Sequence, residues 1–189
     1  ASIAAKKGMP ILLSQSDALP QAVKNYLKNR NIEKTYIIGG TGVISSDLEF
    51  SFTNAVRLGG ATRFDTNLAV LQNFKSDLNF SNVYVARGNG PNGDEFADAL
   101  SGSALAATES APVVLTDNTV ASKTADFLKE NMSDKTVITA LGGTAVVPAV
   151  ILDDLVHYFN GESTSGGIGD ETKPGTGGGT SANSGTFTL

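Results

Sequence analysis

Residues 83–116, VYVARGNGPNGDEFADALSGSALAATESAPVVLT, decide how the rest of the chain is read. They open on Val83-Tyr84-Val85-Ala86, a β-branched and aromatic run suited to a pleated, buried surface. Residues 87–93 carry three glycines and a proline, so the chain turns there. Asp94, or a close neighbour, is placed to cap a helix, because a carboxylate accepts from the unpaired amides at a helix start. Phe96, Ala97, Leu100, Ala104 and Ala107 follow at three- and four-residue spacings and share one helical face. Pro112 blocks the helix, and Val113-Val114-Leu115 is a second apolar strand. A strand, a helix and a strand in this order form a βαβ unit with parallel strands.

Half of this unit occurs earlier. Residues 3–14, IAAKKGMPILLS, match residues 105–116, LAATESAPVVLT, and the two prolines are 102 positions apart. Gly39-Gly40-Thr41 recurs as Gly142-Gly143-Thr144, 103 positions on. An offset that keeps both apolar and turn positions in register indicates duplication. The chain is expected to hold about one and a half copies and to open inside a helix, with more protein upstream.

Strands are expected at 11–13, 34–38, 56–58 and 135–141, besides the two of the central unit. Helices are expected at 21–28, after Pro20, and at 46–52, 62–74, 123–130 and 148–159. Short, continuously apolar strands separated by helices belong to an α/β fold, a mainly parallel sheet with helices on both faces. From Gly161 the composition changes to GESTSGGIGDETKPGTGGGTSANSG, which has too little apolar surface to offset its ordering entropy. It reads as a flexible linker. Residues 186–189, TFTL, alternate and either begin a strand of another domain or end as a tail.

Composition narrows the function classes. The 189 residues are 40% apolar and 17% charged, with a net charge of −5 and a pI near 4.8, which argues against general nucleic-acid binding. No apolar run approaches the roughly 20 residues that span a bilayer. There is no cysteine and a single histidine, His157, so disulfides, thiolate metal sites, a His-based zinc site and thiol catalysis are excluded. No cofactor is implied: the glycine turns at 39–42 and 142–144 match neither GxGxxG nor GxxxxGK[ST]. Glycines at strand ends are explained equally by a backbone that needs positive φ. Asp94, Glu95 and Asp98 could hold a divalent metal, or could cap and solvate a first helical turn. Serines are abundant, but none lies in G-x-S-x-G.

Three arginines stand out. Arg57 and Arg63 bracket Leu58-Gly59-Gly60-Ala61-Thr62, and Arg87 ends the first strand of the central unit. Loops at the carboxyl ends of parallel strands gather on one edge, where ligands bind. Arginine suits anions there, or alternatively pairs with Asp65, Asp94 or Asp98 to fix a loop.

The segment Arg57-Leu58-Gly59-Gly60-Ala61-Thr62-Arg63-Phe64-Asp65-Thr66-Asn67-Leu68-Ala69-Val70 resembles the opening motif of the type 2 cell-wall-binding repeat of Gram-positive, notably clostridial, surface proteins. Residues 96–106, FADALSGSALA, resemble its central motif, and residues 111–116 and 141–147 its later ones. Residues 57–160 then make a complete repeat, 1–56 the later part of a preceding one, and 161–189 the linker. The resemblance implies Rossmann- or Toprim-like modules, arranged about a pseudo-threefold axis with neighbouring repeats. It also implies non-covalent anchoring to an anionic wall polymer, outside the cell and without catalysis. On this reading Arg63 binds the polymer, with Arg57 and Arg87 helping where the sheet brings their strand ends together. Asp65, Asp98, Gly59 and Gly60 fix the loops. Two other readings remain: a divalent-metal phosphotransfer or hydrolytic site on Asp94, Glu95 and Asp98, and a self-associating surface-layer module.

Overall fold

A computed structural model describes residues 1–89, 96–169 and 186–188. It divides into two compact units, one of Gly8–Phe74 and one of Ala1–Lys7 with Lys75–Leu189. The division does not follow the expected repeat boundary at 56/57. The strand and helix that open the second repeat in sequence belong to the unit that ends the first.

The Gly8–Phe74 unit runs α2 (Gln21–Leu27), β1 (Thr35–Ile38), α3 (Ser46–Phe50), β2 (Ala55–Leu58) and α4 (Arg63–Asn73), where α1 is kept for Ser2–Lys6. β1 and β2 are parallel, in register from Thr35 opposite Ala55 to Ile38 opposite Leu58. α4 buries Phe64, Leu68 and Leu71, spaced by four and three along one face, against the core that Ile37, Leu48 and Leu58 share. Phe74 closes it, edge-on to Tyr36 with ring centroids 4.8 Å apart.

One expected strand is missing here. Residues 11–13 are extended but unpaired among the described residues, with Ile11 66% and Leu13 80% exposed. Their counterpart Val113-Val114-Leu115 is a strand because it pairs with the strand at 82–87. The sheet of this unit holds only β1 and β2, so the same apolar sequence has no ladder to join.

The other unit runs α1, β3 (Asn82–Arg87), α5 (Ala97–Glu109), β4 (Val113–Thr116), β5 (Val120–Ala121), α6 (Ser122–Asn131), β6 (Val137–Leu141), α7 (Ala149–Asn160), β7 (Ile168–Gly169) and β8 (Thr186–Thr188). Its main sheet has the order β4-β3-β6-β8. β3 is parallel to both β4 and β6, as the βαβ reading requires. All four inner residues of β3 are buried, so both faces of the sheet are covered. Tyr84 packs with Ala106 and Ala111 on the α5 side, while the alternate residues Val83 and Val85 point to the other face. The largest fully buried side chains include Leu128 of α6 and Ile151, Leu152 and Leu155 of α7.

The Tyr84 hydroxyl donates to Glu109 Oε2 at 2.9 Å. Burial, and then that carboxylate, push its pKa above the usual 10. The folded state therefore holds the phenol proton more tightly, and this contribution is complete below pH 10 and lost as pH rises through the higher folded value. Tyr84→Phe should cost about 1 kcal/mol at neutral pH and should flatten the loss of stability above pH 10, as followed by urea unfolding at several pH values.

α5 inverts a simple reading of its apolar residues. Phe96, Ala97, Leu100 and Ala104 do share a face, but it points outward, with Phe96 59% and Leu100 70% exposed. The inward side is built of small residues. A Cβ on Gly102 would overlap the Leu141 side chain, so the helix lies against β6 at a distance only glycine permits. α1 packs along α5. By the offset of 102, α1 is the counterpart of the last turns of α5, so equivalent helices of successive repeats touch.

Of the expected linker at 161–189, residues 170–185 and 189 lie outside the described residues, and the rest makes contacts with the fold. Ser165 and Gly167 dock onto α7, β7 pairs with β5, and β8 lies antiparallel to β6. Gly and Ser are compatible with docking here because the attachment is through backbone hydrogen bonds, which need no apolar side chain.

Candidate functional site

At the carboxyl ends of β1 and β2, two glycine turns meet. Gly39 has φ +132°, outside the region L side chains favour, and its amide donates to the Leu58 carbonyl at 2.9 Å. A Cβ on Gly59 would lie 2.6 Å from the Gly39 carbonyl, so the two backbones are in contact. A Cβ on Gly60 would overlap Asp65. Asp65 Oδ2 in turn accepts from the Thr62 amide at 3.0 Å and from the Thr62 hydroxyl at 2.8 Å, while Thr62 Oγ1 accepts from the Asp65 amide. This capping box fixes the start of α4 and presents Arg63, its first residue, as an exposed side chain.

Arg57 holds the turn from beneath. Its Nε donates to Glu49 Oε2 at 2.8 Å, Nη1 to the Gly39 carbonyl at 2.8 Å and Nη2 to the Ser45 carbonyl at 3.2 Å. Nη2 also lies 2.7 Å from Glu49 Oε2, and both side chains are mostly buried.

The other unit repeats the device with different residues. Arg87, the last residue of β3, donates from Nε to the Asn89 carbonyl and from Nη1 to the Val146 carbonyl at 3.3 Å. Its Nη2 reaches Asp117 Oδ1 and Asn118 Oδ1, each at 3.1 Å. Val146 belongs to the turn that begins at Gly142, whose φ is +103°. A Cβ on Gly142 would come within 2.5 Å of Asp98 Oδ2, so the Asp98 carboxylate lies over that turn. Asp94 and Glu95 lie outside the described residues.

Each guanidinium thus commits at least four of its five N–H groups to the protein. The expectation that one sheet gathers Arg57 and Arg87 is not met, because β2 pairs with β1 while β3 lies in the four-stranded sheet. Glu49, Asp117 and Asn118 were not singled out from sequence. The only signal for the last two was their place directly after β4, on the edge where β3 ends.

The acids on α7 form a separate group. Asp154 is fully buried and accepts from the Ser165 amide at 2.7 Å, the Ser165 hydroxyl at 2.9 Å and the Gly167 amide. His157 Nδ1 lies 3.9 Å from Asp154 and its Nε2 lies 3.7 Å from Glu162.

The profile of the cell wall binding domain 2 family (CWB2) matches residues 1–49 and 57–152. The chain belongs to that family. It is therefore a cell-wall-binding module, with a place at the bacterial wall or surface. Similar proteins agree. The chain is 30% identical over 162 residues to the N-acetylmuramoyl-L-alanine amidase LytC of Bacillus subtilis (strain 168), across 85% of this chain and 31% of that protein. Among solved structures it resembles Cwp8 from Clostridium difficile, at 28% identity and a TM-score of 0.67 over 84% of this chain and 26% of that one. Cwp6 from the same organism gives 25% identity and a TM-score of 0.71, over 88% and 26%. The chain spans about a third or less of each of these relatives. Among the described residues no helix of this CWB2 chain is long and apolar enough to cross a membrane.

Proposed function

We propose that this CWB2 module anchors a larger protein non-covalently to an anionic polymer of the wall and has no catalytic activity of its own. The observation that carries the reading is the exposed Arg63 at the start of α4, on a loop that Asp65, Gly59 and Gly60 hold rigid. Arg57 and Arg87 contribute by shaping the two turns, since their guanidinium groups are committed to carbonyls and carboxylates. Asp98 does the same over Gly142.

Charge placement fits such a ligand. A total of −5 repels a polyanion, so attachment works at short range. Screening over roughly 8 Å at physiological salt mutes the distant acids, while the amino end of α4 adds positive potential beside Arg63.

Neighbouring repeats are the second partner. α5 leaves Phe96, Leu100 and Leu105 exposed although α1 packs against the same helix. In an intact array the equivalent helix of a further repeat would cover the rest, and three such helices would meet about a pseudo-threefold axis.

Sedimentation with isolated walls, before and after extraction of their anionic polymers, tests the anchoring. Binding should be lost on extraction and should weaken as salt rises. Arg63→Gln should reduce it roughly ten- to a hundredfold, for the loss of one charge-assisted contact of about 1.5–3 kcal/mol, beyond any change in the folded fraction. Binding that survives extraction would remove the anionic polymer as ligand. Hydrolysis of the wall by the isolated chain would favour an enzymatic reading.

A further inference from the structure

β1 and β6 are counterparts by the offset of 103 that relates Gly39 to Gly142, yet they are paired on opposite edges. In a parallel ladder the amide and carbonyl of one residue point to the same edge, and successive residues alternate between edges. The Val137 amide donates to the Ser81 carbonyl at 2.9 Å, so Val137, Thr139 and Leu141 face β3. In β1 the Thr35 amide donates to the Asn54 carbonyl at 3.4 Å, and the Gly39 amide beyond it to the Leu58 carbonyl at 2.9 Å. Their counterparts are Ile138 and Gly142, which face away from β3. β2 therefore lies on the opposite edge of β1 from the one that β3 takes on β6. The remaining edge, formed by Lys34, Tyr36 and Ile38, meets no strand among the described residues.

Burial follows the same line. β3 separates β4 from β6 in the four-stranded sheet. Val114 of β4 is fully buried, whereas its counterpart Leu12 is 39% exposed. Leu141 of β6 packs beside Tyr84 of β3, whereas its counterpart Ile38 is 47% exposed. Both stretches that flank β3 in the one unit thus carry uncovered apolar side chains in the other.

We propose that the free edge of β1 is a strand acceptor, which takes one parallel strand of the β3 pattern between β1 and residues 11–13. The occupant is an apolar, β-branched run like Asn82–Arg87, because it must be covered on both faces as the inner residues of β3 are. Connectivity fixes its source. β3 leads through α5 into β4, and α1, the counterpart of the last turns of α5, leads into residues 11–13 in the same way. The strand is therefore repeat sequence joined on the amino side of α1, in a right-handed βαβ connection. By the offset of 102, Ala1 corresponds to Ser103, so no residue of 1–49, the first stretch that the family profile matches, stands in the place of β3. An edge of this kind is otherwise a template for any extended chain.

Amide hydrogen exchange tests the proposal twice. In the chain as it stands, the Tyr36 and Ile38 amides should exchange at least about tenfold faster than those of Ile37 and Gly39, which face β2. Equal protection of all four would overturn the free edge. Protection of Tyr36 and Ile38 that vanishes on dilution would make a second copy the occupant and overturn the assignment. In the second test, a copy of residues 75–102 is joined ahead of Ala1, and the same fusion is made with Val85→Pro in the copy. Val85 of β3 faces β6, so a proline there removes the amide that would reach the Tyr36 carbonyl. The fusion should slow exchange at Tyr36 and Ile38 by about tenfold or more, and the proline form should exchange like the parent chain. No slowing in the fusion, or equal slowing with the proline, would overturn the β3-type strand as occupant.

Discussion

Asp154→Ala should lower the stability of the chain by at least about 3 kcal/mol, the largest effect expected of any single change to the C-terminal region. The carboxylate is fully buried and meets three donors, at Ser165 N, Ser165 Oγ and Gly167 N. Alanine removes the acceptor and strands these groups, and an unmet buried polar group costs about 1–3 kcal/mol. Residues 165–169 would leave rather than stay unsatisfied, so the loss would also include the pairing of β7 with β5. For a chain of this size a loss of about 3 kcal/mol corresponds to a fall of roughly 6–12 °C in melting temperature. Asp154→Asn keeps one acceptor oxygen and should fall between wild type and alanine. Calorimetry of the three proteins is the check. Equal melting temperatures would show that the segment after Asn160 contributes nothing, as its composition alone suggests.

That contrast shows where the sequence is informative. The βαβ unit is legible because β3 and β4 are continuous apolar runs, and burial on both faces demands nothing less. The duplication is legible because proline and glycine positions recur. The docking of residues 165–169 is not, because it is made by amides, which every residue carries, by one serine hydroxyl and by an acid placed on α7 among core residues. Composition registers only the absence of apolar side chains.

The orientation of α5 was illegible for a related reason. Its periodicity correctly groups Phe96, Leu100 and Ala104, but burial went to the face of Gly102, Ser103 and Ala106. Small residues let a helix approach a sheet closely, and the larger apolar residues are left for a neighbour. Residues 11–13 make the complementary point. Their sequence matches β4 closely, yet no strand forms where no partner strand is supplied. The compact units are likewise set by which strand pairs with which, so β2 and α4 join the preceding unit although sequence similarity places them in the following one.

The arginines carry the last expectation. From sequence, Arg57, Arg63 and Arg87 are three cations near strand ends and are equally suited to a ligand. Geometry gives Arg57 and Arg87 a definite place, as clamps on glycine turns. Arg57→Met should therefore cost about 3 kcal/mol of stability, leaving Glu49 without its partner and the Gly39 and Ser45 carbonyls without donors in a mostly buried place. Arg57→Lys should cost nearly as much. A lysine ammonium is a compact point charge on a flexible stem, whereas this site needs a planar fork that reaches a carboxylate and two carbonyls at once. Chemical unfolding of both variants, set beside Arg63→Gln, gives a three-way comparison. The two Arg57 variants should be destabilised and bind wall polymer in proportion to the fraction folded, while Arg63→Gln should lose affinity beyond any unfolded fraction. Full stability in Arg57→Lys would show that charge, not shape, holds the turn. An affinity loss beyond the unfolded fraction in Arg57→Met would return that residue to the ligand site.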